Sequence, residues 1–278
     1  MKQLYDIQCR KLAKRITTKY STSFSLGIYC LEKSLRQPIF NLYAYVRVAD
    51  EIVDTFHGYD KRSLLDEFEE ETYKALDRKI STNPVLNAFQ ETFHEYKLEK
   101  DHVETFLASM RMDLDQNTYT QSEYEKYILG SAEVVGLMCL KIFVKGNEKQ
   151  YQELKPMAMA LGSAFQKVNF LRDLQADFNG LGRVYFPNTD FNNFSEINKS
   201  ELIEDIDRDF QYAFEGIKRL PKKARFGVYL AYKFYKQLLN KIKQTHHQEI
   251  LEQRIRISNS KKCWVLTKSY LRHSFNTL

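Results

Sequence analysis

The chain has 278 residues, 43% hydrophobic and 28% charged, with a net charge of +6. That balance excludes a disordered or low-complexity chain and leaves enough apolar material for a large buried core. Only 5 prolines and 10 glycines punctuate it, which favours long helices because both residues break helix interiors.

In chain order, helical periodicity predicts helices over 5–19, 37–57, 61–79, 84–96, 99–116, 121–145, 148–177, 198–218, 222–244 and 247–256, with a last piece near 262–272. The opening MKQLYDIQCRKLAKRI is basic but has no apolar core segment, so a secretory signal is not expected. Pro38 suits the first turn of its helix, and Pro84 and Pro221 mark two further starts. The longest apolar run, VVGLMCLKIFV at 134–144, is interrupted by Lys141 and is too short to span a bilayer. Segment 178–197 is rich in Gly, Asn and Pro and long for a helix connection, which makes it a candidate lid. With no repeat or linker, one all-α domain over 1–278 is the expectation.

Cys9, Cys30, Cys139 and Cys263 are spread without a C-x-x-C pair and read as reduced thiols of a cytoplasmic protein. The six histidines show no ligand spacing. Charge is uneven. From Lys218 onward, 15 Lys and Arg face only Glu249 and Glu252, a local balance of +13, while the remainder carries −7. Such a basic stretch fits a solvated face, nucleic acid, an anionic membrane surface or an anionic substrate.

Two acidic stretches stand out. RVADEIVDTF at 47–56 carries Asp50 and Asp54, and NFLRDLQAD at 169–177 carries Asp173 and Asp177. Residues four apart lie about 40° apart around a helix axis, so each pair shares a face. Arg47 joins the first stripe and Asn169 the second, with Gln166 at its start, while Val168, Phe170, Leu171 and Leu174 belong to the core side. A carboxylate stripe beside an apolar face is costly unless neutralised. If the two helices face each other, divalent cations would relieve the repulsion. Mg²⁺ fits because it takes oxygen ligands and bridges carboxylates to phosphates. A single Asp-x3-Asp pair is more often a surface feature, and the pairing of two is what points to a metal–diphosphate site.

These stretches resemble the signature regions of the squalene/phytoene synthase family: RVADEIVD, and NFLRDLQADFNGLGRVYFP at 169–187. YSTSFSLG at 20–27, YILGSAEVVGLM at 127–138 and RIRIS at 254–258 resemble its remaining motifs, in order. The resemblance implies an all-α isoprenoid-synthase bundle around a central cavity. It implies Mg²⁺, with Mn²⁺ as a substitute, on Asp50, Asp54, Asn169, Asp173 and Asp177. Arg47, Ser21 and Ser23 would contact diphosphate, Gln166 and Asn169 would line the polar mouth, and Arg256 would add a cation. Tyr127 would sit near the reacting carbons, and Phe24, Val134 and Gly162 would line the tunnel. Read from the residues alone, Ser21 and Ser23 fit a helix cap equally well, and Gly162 a close helix contact. Ala176 departs from the family pattern by removing an acidic residue before Asp177.

The implied reaction joins two isoprenoid diphosphates head to head through a cyclopropyl diphosphate. The wording of DEIVD and RVYFP favours phytoene from two geranylgeranyl diphosphates without NADPH. Squalene or dehydrosqualene from two farnesyl diphosphates is the alternative, and a non-catalytic assembly factor of the same fold a remote one. A nucleic-acid partner would leave the paired aspartates unexplained. An anionic bilayer, where such lipids partition, is the partner expected for the basic C-terminal third, at the inner face of the membrane.

Overall fold

The computed structural model describes residues 1–180, 182–187 and 189–274. Among them the chain runs through α1 (Lys2–Tyr20), α2 (Thr22–Tyr29), α3 (Lys33–Asp54), α4 (Lys61–Arg78), α5 (Pro84–Glu95) and α6 (Lys100–Asp115). It continues through α7 (Gln121–Ile128), α8 (Val134–Val144), α9 (Glu148–Gln175), α10 (Glu196–Arg219), α11 (Lys222–Gln244), α12 (His247–Glu252) and α13 (Asn259–Ser274). The expected all-α bundle is what forms, and the only strand-like pairing among the described residues is a parallel bridge of Thr118 with Val184.

Local chemistry sets the helix starts. Asn83 caps α5 with Pro84 directly behind it, and Thr120 with Glu123 closes a reciprocal capping box at α7. Two starts differ most from expectation. Residues 20–36 show no periodic run long enough to predict a helix, yet Ser21 accepts the Phe24 N–H at 3.2 Å and opens the eight-residue α2. Pro38 is not in the first turn, because α3 begins at Lys33. The missing N–H at Pro38 costs only the one bond that Ser34 would have accepted.

α9 is the central element, packed against α8, α10, α11 and α12. α7 and α8 join through a π-helical turn, Leu129–Glu133, into one helix from Gln121 to Val144. By length and apolarity that helix is long enough to cross a membrane, so the apolar run is not as short as its sequence implies. More than half of its most apolar window is buried against the protein's own helices.

The segment after α9 is packed rather than open. Tyr185, Phe186, Phe191 and Phe194 are buried in one aromatic cluster with Tyr119, Tyr124 and Phe170. Val184 donates its N–H to the Asn117 carbonyl at 2.7 Å. The candidate lid is therefore a strap anchored by four buried rings.

α9 and the α7–α8 junction approach closely at Gly162, where an added Cβ would lie 2.6 Å from the Ala132 carbonyl oxygen, a backbone atom that cannot yield alone. Gly162→Ala is expected to lower stability by about 1–3 kcal/mol, the cost of overpacking a filled contact. Urea unfolding checks it through a lowered midpoint at unchanged slope.

Candidate active site

A half-open cavity of about 220 Å³ runs beside α9. Gln166, Gly162, Ala158 and Leu154 line it at steps of four residues, one face of one helix. The twelve-residue interval from Gln166 to Leu154 spans about 18 Å at 1.5 Å per residue. Gln166 is the polar end. At the other end Leu154 meets Leu140, Phe143 and Leu220, which close the space with apolar side chains. Continuing past Gln166, the same helix presents Asn169 and then Asp173. Asn169 donates to Gln166 at 3.4 Å and accepts the Tyr235 hydroxyl at 3.2 Å. Tyr235 stacks on Phe165, ring centroids 4.0 Å apart, at the boundary between the polar and apolar parts. One helix thus changes from apolar to amide to carboxylate along a single stripe.

The second carboxylate pair stands on α3. Arg47 donates to Asp50 at 2.9 Å, also pairs with Glu51, and lies over the Tyr20 ring at 4.6 Å. Its Nε is buried without a hydrogen-bond partner among the described residues, a donor without an acceptor at the rim of the site. Burial and the neighbouring Asp54 push the Asp50 carboxyl up to about 7, partly offset by Arg47. Across the mouth, burial, Asp173 and Asp54 push Asp177 up to about 7 as well. The influence of Asp54 on Asp177 is the electrostatic sign that the two stripes face each other.

Arginines neutralise much of this charge. Asp173 is held between Arg172 and Arg254, the latter at 2.6 Å. Asp54 accepts from Arg183 at 3.0 Å, and the Arg183 N–H donates to the Asp177 carbonyl at 2.8 Å. Arg183 therefore ties the α3 stripe to the turn that carries Asp177. Among the described residues Asp177 makes no ion pair. Oxygen donors from Asp50, Asp54, Asn169, Asp173 and Asp177 fit a hard divalent cation, and the unpartnered Arg47 Nε fits an anion beside it.

The other expected positions are distributed as follows. Phe24, Gly162 and Gln166 line the cavity. Val134 does not: it is buried in the core, and Val135 takes the wall position. One residue further turns a side chain by about 100°, which is enough to exchange the two. Ser21 acts as the α2 cap, and Ser23 is half-buried in the first turn of that helix. Arg256 is exposed, and among the described residues its backbone carbonyl is what is engaged, by Lys241 at 2.7 Å. The cation that RIRIS delivers to the acidic stripe is Arg254. Tyr127 is buried, and its hydroxyl donates to Asp113 at 2.7 Å.

Asp113, Arg183, Tyr119, Tyr185 and Arg254 are not evident as site residues from sequence spacing. Asp113 carries one legible signal: it continues the buried face of α6 after Phe106 and Met110, where an aspartate is out of place. His246, His247 and Glu196 present ligand atoms within 4.8 Å of one another despite lacking a ligand pattern in sequence, but Lys199 already pairs with Glu196 there.

The sequence profile of the squalene/phytoene synthase family matches residues 17–261. Among curated proteins, a phytoene synthase of Arthrospira platensis is 29% identical, the match covering 94% of this chain and 92% of that one. A 15-cis-phytoene synthase of Synechococcus elongatus is 27% identical, covering 93% and 91%. Among solved structures, a dehydrosqualene synthase superposes with a TM-score of 0.81 at 23% identity, over 98% of this chain and 99% of that one. A squalene synthase of Alicyclobacillus acidocaldarius gives 0.74 at 22% identity, over 85% and 94%.

The raised carboxyls at Asp50 and Asp177 define a pH dependence. The folded, metal-free protein binds more protons than the unfolded chain between about pH 4 and 7, so these groups contribute stability that is lost as pH rises through 7. In EDTA the melting temperature should fall from pH 5.5 to pH 7.5, and Asp50→Asn should flatten that slope. Excess Mg²⁺ should restore the melting temperature at pH 7.5, since it needs the ionised carboxylates.

Proposed function

We propose that this chain, which belongs to the squalene/phytoene synthase family and is a prenyltransferase-type enzyme, joins two geranylgeranyl diphosphates head to head to phytoene without a reductant. The observation that carries the reading is the single stripe of α9, apolar from Leu154 to Gly162 and acidic at Asp173, facing the α3 carboxylates. An amphiphile with a long apolar tail and a diphosphate head matches both ends. The sequence similarity to phytoene synthases over nearly the whole chain supports the C20 substrate.

Asp50, Asp54, Asn169, Asp173 and Asp177 are the residues that would hold Mg²⁺, or Mn²⁺ in its place. Bound there, such an ion supplies Lewis-acid stabilisation to the departing diphosphate. Arg47 and Arg254 supply guanidinium donors to diphosphate oxygens, a geometry suited to bidentate contacts. In the reading proposed, the C1–O bond of the first chain breaks and its electron pair leaves with diphosphate. The double bond of the second chain attacks the allylic cation, and proton loss closes a cyclopropyl diphosphate. A second ionisation, rearrangement and proton loss give the product. Phe165, Tyr235 and Phe24 keep water from the cation and offer ring faces to it, while Gly162 and Ala158 leave room for the chains.

The basic C-terminal third belongs to the same reading, as the face turned to an anionic bilayer at the cytoplasmic side. α13 packs through Val265 against Leu230 and Phe234 of α11, and Leu26 of α2 borders the same cluster, while Phe24, Gly27 and Ile28 of α2 line the cavity. Trp264 is 56% exposed, with the Lys268 ammonium 4.8 Å from its ring centre. An exposed Trp among lysines suits a membrane interface.

Incubation with C15 or C20 allylic diphosphate and Mg²⁺, with and without NADPH, followed by mass analysis, tests the substrate. A C40 product from C20 without NADPH is expected. Conversion of C15 alone would identify a squalene- or dehydrosqualene-type activity instead. Asp50→Asn and Asp173→Asn should each remove turnover while leaving the far-UV circular dichroism unchanged. In vesicle co-sedimentation the protein should favour phosphatidylglycerol over phosphatidylcholine, and Trp264→Ala should weaken the binding. Equal partitioning to both lipids would refute the membrane assignment.

A further inference from the structure

Asp113 sits on the core face of α6 with 6% of its surface exposed. Its Oδ2 accepts the Tyr127 hydroxyl at 2.7 Å, and its Oδ1 accepts those of Tyr119 at 3.1 Å and Tyr185 at 3.2 Å. The rings of these three tyrosines pack on one another, and Phe170 stacks on Tyr185 with centroids 4.1 Å apart. Three phenols from three places in the chain thus fix one carboxylate. Core packing alone does not need this arrangement, because buried charge is costly and an apolar residue would fill the space more cheaply.

The remaining neighbour supplies the reason. Arg183 is equally buried and faces two ways. Its Nη2 donates to the Asp113 carbonyl at 2.7 Å, and its Nη1 lies 3.9 Å from Asp113 Oδ1. The same Nη1 donates to Asp54 Oδ1 at 3.0 Å. Gly182, at φ +66°, lets the chain turn so that the Arg183 side chain enters this gap. Arg183 holds a carboxylate that the proposed cation also needs, while Asp113 holds Arg183 from behind.

We propose that Asp113 is a positioning residue that gives Arg183 a second counter-charge, built into the core, so that Arg183 can neutralise Asp54 before a divalent cation arrives and release it afterwards without leaving its buried place. The inference rests on the cation–diphosphate reading of the mouth. Asp113 touches neither substrate nor cation. Its phenol contacts keep it turned to the guanidinium and away from the opening. Without the Asp113 charge, Asp54 is the carboxylate left beside Arg183, which then competes harder for it. Without the Arg183 charge, Asp54 is free for the cation.

The two substitutions therefore act in opposite directions on cation affinity, which loss of structure does not do. The test is Mn²⁺ binding to the substrate-free protein, read from the paramagnetic resonance signal of free Mn²⁺. Arg183→Gln should tighten binding about tenfold and Asp113→Asn should weaken it about tenfold, modest values for unit charges this close in a partly buried site. Asp113→Glu, which keeps the charge, should stay closer to the wild-type affinity than Asp113→Asn does. Circular dichroism and thermal melting establish that each variant is folded, and if Asp113→Asn is not, Arg183→Gln and Asp113→Glu decide. Weakening by both charge-removing substitutions, or an Asp113→Asn affinity equal to wild type, overturns the inference and leaves the cation site standing. Absence of Mn²⁺ binding to the wild-type protein removes the cation site and this inference together.

Discussion

Bringing like charges together at the rim of an apolar cavity is the constraint on which the rest of the structure turns. Asp50 and Asp54 on α3 and Asp173 and Asp177 at the end of α9 share one mouth, and the carboxyls of Asp50 and Asp177 are both driven up to about 7 by burial and by neighbouring carboxylates. Such an assembly folds only if its charge is shared out. Arg47 takes Asp50, Arg183 takes Asp54, and Arg172 with Arg254 takes Asp173. The mouth is thereby poised: Asp50, Asp54 and Asp173 are held by guanidinium groups that are themselves suited to phosphate oxygens.

The depth of the site comes from regular helix geometry. Because α9 is one helix from Glu148 to Gln175, with Pro156 inside it, one face carries a chemical gradient along its length. Leu154, Ala158 and Gly162 are small or apolar, Gln166 and Asn169 are amides, and Asp173 is a carboxylate. The neighbouring helices approach closely only because glycines face them, Gly162 against the Ala132 backbone and Gly216 against the Met157 side chain. The strap after α9 brings Arg183 back across the opening and seals its own aromatic side chains into the core. A segment that composition marks as open is thus part of the wall.

Much of this is legible in the amino-acid sequence. Long helices follow from periodicity and from the shortage of proline and glycine, and the two carboxylate stripes follow from spacing alone. Helical spacing resolves further positions only to within a turn. Val134 and Val135 differ by one step around the axis, and periodicity does not say which of them lines the cavity; nor does it say which of Arg254 and Arg256, in the non-helical stretch after α12, reaches Asp173. α2 is hidden because eight residues rich in serine and threonine carry too short a pattern, although Ser21 is a good cap. Asp113 leaves a trace as a charged residue on an otherwise apolar face, but its partners Tyr119, Tyr127, Tyr185 and Arg183 lie 6 to 72 residues away.

By itself, then, the sequence determined the helices, the amphipathic faces, the two acidic stripes and the family to which their motifs belong. All of these are local or periodic properties, set by neighbours within a few turns of one helix. Which stripe faces which, which arginine answers which aspartate, and where the cavity ends were decided only by the packing of α3, α6 and α9 with the strap. Those relations depend on charges and side chains that are distant in the chain, and only a folded core in which burial makes each unpaired charge costly selects among them.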